Sequence, residues 1–166
     1  MPTKDTRTPH RRNDARPRVR VQCATRVRGV PGAARLRVWA RAACPPAAEI
    51  TLRIVGTREA ERLNAAYRRR HSATNVLSFS YENGSVLRGD IVLCHPVVLR
   101  EARAQGKTTA AHYAHLVIHG VLHLRGFAHA RRADAARMET LERRILRRLG
   151  FADPYVLPAD GPREAR

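Results

Sequence analysis

The apolar residues of this chain change rhythm along its length, and that change leaves few folds open to it. From Glu49 to Val55 apolar and polar residues alternate, with Ile50, Leu52 and Ile54 set against Glu49, Thr51 and Arg53. That is the period of a strand buried on one face. Val19, Val21 and Ala24 suggest an earlier strand; Asn75–Phe79 and Gly89–Cys94 read as two later ones, with the turn residues Glu82-Asn-Gly-Ser85 between them. Helical spacing marks Ala33–Ala43, through Leu36, Val38 and Trp39, closed by Pro45-Pro46. Thr57 is the expected N-cap of a helix from Arg58 to Arg69. Three further helices are expected at Pro96–Gln105, Thr109–Leu124 and Ala133–Leu149, the last ended by Gly150. Strands early and helices late predict an α+β fold, a small mixed sheet of about four strands packed against about five helices.

At 166 residues, 43% of them apolar, the chain has the size and the core material of one domain. Residues 1–16 are polar, basic and rich in breakers and read as a disordered tail, residues 17–157 as the domain, and 158–166 as a C-terminal tail. Cys23, Cys44 and Cys94 are odd in number and form no Cys-x-x-Cys pair, which argues against a disulfide scaffold and fits the cytoplasm. No apolar h-region opens the chain and no run approaches the roughly 18 apolar residues of a membrane span. Asp5, Asp14 and the early prolines weigh against a transit peptide.

The charge is extreme: 32 basic against 14 acidic side chains, a formal net charge of +18. Such a field attracts polyanions, and guanidinium pairs bidentately with phosphate, so charge alone makes a nucleic-acid partner about as expected as not. Lys4 and Lys107 are the only lysines, so a codon bias toward Arg accounts for part of the excess. Charge says nothing about chemistry.

Chemistry enters with His119-Gly-Val-Leu-His123-Leu-Arg-Gly-Phe-Ala-His129. His119 and His123 lie on one helix face a turn apart, and Gly126 can end the helix so that His129 returns toward the same point. Three neutral imidazoles with a fourth position for water make a hydrolytic zinc centre. The predicted helix also carries His112 and His115. His115 and His123 are eight residues apart, a rise of about 12 Å, too far to share one ion at about 2 Å from each. The pair is therefore His119/His123, favoured by the Gly-turned His129, or His115/His119. A zincin-type peptidase needs Glu directly after the first His, and that position is Gly120.

The histidine run resembles that of the YbeY family of metal-dependent bacterial endoribonucleases. So do Leu63-Asn-Ala-Ala-Tyr67-Arg68, Thr74-Asn-Val-Leu-Ser-Phe79, Gly89-Asp90-Ile-Val, Met138-x-x-Leu-Glu142, Leu149-Gly150 and Asp153-Pro154-Tyr155, in the family's order. The resemblance spans roughly residues 18 to 156. It implies His119, His123 and His129 as ligands of one zinc at the end of the long central helix, and Arg68 as a catalytic residue engaging RNA phosphate. It implies a single-strand-specific endoribonuclease acting in late-stage 70S ribosome quality control and maturation of the 16S rRNA 3′ end. The implied partners are single-stranded rRNA and the small ribosomal subunit.

Departures from the family pattern accompany the match. Ala128 stands where Asp usually precedes the third His, Ser80 where Pro is common, and Ala130-Arg131-Arg132 where acids follow. A carboxylate at 128 can orient an imidazole or act as base. Asp90 or Glu142 replaces it only if the fold brings one near, and a turn or backbone-bonding role is favoured for Asp90. The loss opens a second reading, a ribosome-associated RNA-binding factor with a structural zinc and weak nuclease activity.

Overall fold

A computed structural model of the chain describes residues 16–25, 28–81, 86–127 and 132–156. The expected tails, apart from Arg16, the turn at 82–85 and the positions Ala128, His129, Ala130 and Arg131 lie outside the described residues. Within them the order is β1 (Arg18–Cys23), α1 (Ala33–Ala43), β2 (Glu49–Val55), α2 (Thr57–Arg68), β3 (Val76–Ser80), β4 (Arg88–Cys94), α3 (His95–Ala104), α4 (Thr109–Leu124) and α5 (Arg132–Arg148). The α+β expectation is met.

The four strands form one mixed sheet in the order β1-β2-β4-β3. β1 and β4 run parallel to β2, while β3 lies antiparallel to β4 along the edge. Register places Leu52 opposite Ile91 and Ile54 opposite Leu93. Because side chains alternate, these residues and Val19 face one layer, where they pack with Leu36 and Trp39 of α1 and Val117, Ile118 and Val121 of α4. The odd positions of β2 and the even positions of β4 face the other way, and there Val55, Val92, Cys94 and Leu77 of β3 pack on Ala60 of α2.

α4 is buried on nearly all sides, through Tyr113, Ala114, Leu116, Val117, Ile118, Val121, Leu122 and Leu124. Outside its histidine stripe α4 is apolar, which is the pattern of a core helix. Its start is fixed by Thr108, whose hydroxyl accepts from Ala111 N at 3.1 Å. Its end is fixed by Gly126 at φ +89°, with Gly126 N bonded to His123 O at 2.9 Å and Phe127 N to Leu122 O at 3.1 Å. This is the Schellman arrangement, and it turns the chain where the sequence placed the turn.

One expectation fails at α2. Thr57 is the first helical residue, Gly56 is the N-cap, and no side chain caps this end. Burial of Ala60 and Asn64 against the sheet, not capping, sets where α2 begins.

Candidate metal centre

α4 turns His115 and His119 toward α5, with His123 one turn on beside His119, while its apolar faces stay in the core. α5 answers with Glu142, fully buried on the same face as Met138, Ile145 and Leu146. One Glu142 oxygen accepts from His119 Nδ1 at 2.7 Å and the other from His115 Nε2 at 3.2 Å. The hydroxyl of Tyr155 donates to the second oxygen as well.

These bonds set the state of the carboxylate. Burial on its own raises the pKa of a carboxyl group, but the hydrogen bonds from His115, His119 and Tyr155 favour the anion and bring Glu142 down to about 2. The same contact pushes Tyr155 up, since burial and the neighbouring Glu142 both disfavour a phenolate. Tyr155 is held in turn: Arg143 lies over its ring at 4.6 Å and bonds Asp153 at 3.0 Å, and Lys107 donates to the carbonyl of Pro154.

Because a carboxylate only accepts, His119 carries its proton on Nδ1 and leaves Nε2 with a lone pair. That Nε2 faces Nε2 of His123 at 3.0 Å. Two ligands about 2 Å from one zinc stand roughly 3.3 Å apart in a tetrahedron, so the pair needs little movement to share an ion. A second set of donors sits beside it: His115, His119 and Glu142 each offer an atom within 4.8 Å of the others. In both sets the donors are hydrogen-bonded to one another, and a cation between them displaces the bridging protons. The two sets share His119.

A line of polar groups continues from the centre toward the N-terminal end of α4. His112 is buried and its Nε2 bonds Glu101 at 2.8 Å, and the same Glu101 oxygen accepts from Asn75 Nδ2 at 3.0 Å. Burial lowers the pKa of His112 against the pull of Glu101. With His115, His119 and Tyr155 these residues line a cleft of about 390 Å³.

Gly120 faces the sheet: a Cβ there would stand 2.8 Å from Ile91 Cγ2 and 3.2 Å from Ser78 Oγ. Close helix–sheet packing thus requires glycine where a zincin has its Glu, and the position turns away from the histidines. Asp90 shares the opposite sheet face with Val92, accepts from the Tyr81 hydroxyl at 2.5 Å, and is not brought to the histidines. Arg68 is exposed on the last turn of α2, beside Tyr67, whose ring packs on Phe79 of edge strand β3 at 4.7 Å. No contact among the described residues joins Arg68 to the histidines. Ser80 ends β3 and pairs with Gly89.

Sequence reasoning named Glu142 only as a conditional replacement for a missing acid and gave Tyr155 no role. The signal for Glu142 is a lone acid on the apolar stripe of α5, between Met138 and Ile145. Tyr155 has no such signal, since its place depends on how residues 151–156 fold back over α4.

Comparisons with known proteins agree with this architecture. A family model described as Endoribonuclease YbeY matches residues 33–150. The Endoribonuclease YbeY of Nitrosomonas eutropha is 51% identical over 137 residues, 82% of this chain and 97% of that protein. That of Thiobacillus denitrificans is 49% identical over 140 residues, 83% of this chain and 95% of the relative. A solution structure of a protein from Thermotoga maritima superposes with a TM-score of 0.54 at 20% identity, covering 83% of this chain and 99% of that one, and so shares the fold. On the strength of the family match and these relatives, the chain belongs to the endoribonuclease YbeY family.

Proposed function

We propose that this chain is a metal-dependent endoribonuclease that hydrolyses phosphodiester bonds in single-stranded ribosomal RNA. The observation that carries the reading is the Nε2 pair of His119 and His123, 3.0 Å apart, with Glu142 on the far nitrogen of His119. A carboxylate behind a ligand imidazole fixes its tautomer and raises its basicity, as in known zinc sites. His119 and His123 would hold one zinc through Nε2, and His129, outside the described residues, is the proposed third ligand. When bound, zinc supplies Lewis-acid polarisation of a phosphoryl oxygen and a lowered pKa for water.

The remaining work falls to side chains. Glu142 orients His119, and with its two oxygens already accepting from His115, His119 and Tyr155 it is a poor general base. It therefore does not replace the carboxylate missing at Ala128; a zinc held by the histidines would supply the lowered pKa of water there. Arg68 is proposed to bind a phosphate oxygen on RNA that passes the edge of β3, offsetting charge as it develops. The proposed setting is late-stage 70S ribosome quality control and 16S rRNA 3′-end maturation in the cytoplasm, with the small ribosomal subunit as partner. Support for that setting is membership of the family and a net charge of +18.

The test is cleavage of end-labelled single-stranded rRNA by zinc-loaded protein, by His123→Ala, and by EDTA-treated protein. Cleavage by the first alone is expected. Equal cleavage by all three removes the metal from the mechanism, and salt-sensitive binding without any cleavage replaces the nuclease with an RNA-binding factor.

A further inference from the structure

On the outer side of α5, Arg137, Arg143, Arg144, Arg147 and Arg148 stand among Ala133, Ala136 and Thr140, with half-exposed Glu139 at the border beside Arg143. Arg143 is committed, to Asp153, to Glu139 at 3.5 Å and to the Tyr155 ring. Arg137, Arg144, Arg147 and Arg148 pair with no carboxylate among the described residues. Arg144 and Arg148 are one turn apart, as are Arg143 and Arg147, and like charges at that spacing destabilise a helix by a few tenths of a kcal/mol. The helix dipole favours Arg147 and Arg148 in the last turn, but it does nothing for Arg137 in the first half.

We infer that this face of α5 is a track for the phosphate backbone of RNA, leading from the histidine centre along the helix. The inference rests on the nuclease reading above and names the surface that would hold its substrate. Three observations support it. Arg137 to Arg148 spans eleven residues, about 16 Å of helix, long enough to meet several successive phosphates. The inner side of the same helix supplies Glu142 to His119, so the track and the centre are one helix diameter apart, about 10 Å. Beside Arg137, a groove of about 500 Å³ is lined by Phe127, Ala136, Thr140 and Leu141, with Arg125 over the Phe127 ring at 5.5 Å. A basic strip beside a groove edged by a half-buried ring suits a single strand, with phosphates on the charges and a base in the groove.

The test is fluorescence anisotropy of a labelled 20-nucleotide oligouridylate against NaCl concentration, with the full chain. One variant carries Arg137→Gln, Arg144→Gln, Arg147→Gln and Arg148→Gln; a charge-matched control carries Arg58→Gln, Arg62→Gln, Arg100→Gln and Arg103→Gln on α2 and α3. The α5 variant is expected to bind about 100-fold more weakly at physiological salt and to lose about 3 from the slope of log K against log salt, near 0.7 for each phosphate contact. The control is expected to lose less than about 5-fold. Equal losses in both variants overturn the track and leave only overall charge. An α5 variant that binds and cleaves RNA like the wild type overturns the track but leaves the nuclease reading standing, whereas wild-type protein that binds no RNA overturns both. A loss of affinity for polyglutamate with RNA binding intact assigns the face to an acidic protein and overturns the proposal.

Discussion

At the scale of single residues, Glu142 has the largest structural consequence for its size. Three donors converge on it from two other segments of the chain. Glu142→Gln keeps the shape but turns one oxygen into a donor, which then faces an N–H of His115 or His119. Zinc affinity is expected to fall about 10- to 100-fold, read by competition with a chromophoric chelator, with circular dichroism unchanged. Unaltered affinity would show that His119 needs no partner behind it. Gly120 makes the opposite point. Gly120→Ala gains up to about 1 kcal/mol of helix propensity. Its methyl group, however, must fit 2.8 Å from Ile91, and such overpacking costs about 1–3 kcal/mol. A lower melting temperature, by about 3 °C, is expected in thermal unfolding, and an unchanged or higher one contradicts the packing argument.

The histidine pair was legible because a four-residue spacing on a helix is a local rule. Glu142 was not assignable, because its partner His119 lies 23 residues away and their meeting depends on how α5 crosses α4. Gly120 was legible as the absence of a catalytic Glu, but the reason for glycine there, the closeness of Ile91 and Ser78, belongs to tertiary packing.

At the scale of elements, periodicity placed every helix and strand within a residue or so, and α4 at its observed limits. Thr57 shows where local chemistry misleads. A good capping residue sits inside α2 because the apolar positions that must face the sheet decide where the helix starts. The join between α3 and α4 rests on a buried histidine. His95, the first residue of α3, is 1% exposed, with Nδ1 2.7 Å from the Tyr113 hydroxyl of α4 and Nε2 3.1 Å from Arg28 O. Burial lowers its pKa below 6.5 and outweighs the bond to Arg28 O. A lowered folded value means the unfolded chain takes the proton first, so stability is fully present above pH 6.5 and declines as pH falls below it toward the folded value. Metal-free protein is therefore expected to melt lower at pH 5.5 than at pH 7.5, and His95→Gln to show a smaller drop. An equal drop in the variant places the acid sensitivity elsewhere, with His112 the next buried candidate.

At the scale of the whole molecule, the α+β class and mixed sheet follow from the order of strand and helix patterns. The strand order β1-β2-β4-β3 does not, because pairing depends on how α1 and α2 cross over, and no single strand's period reports that. Net charge predicted a polyanion partner without saying where it binds. Folding sorts the arginines: some bond backbone or acids, as Arg41 and Arg53 do, and others gather on one side of α5. The layered fold thus sets α4 between the sheet and α5, with the histidines at their junction and charge outside it.

The central claim is that His119 and His123, not His115 and Glu142, hold the metal. Zinc per chain, measured by mass spectrometry after dialysis, tests it in wild type, His123→Ala and His115→Ala. The expected values are about one for the wild type, near zero for His123→Ala, and about one for His115→Ala. A His123→Ala protein that keeps its zinc while His115→Ala loses it would contradict the account and move the centre to His115, His119 and Glu142.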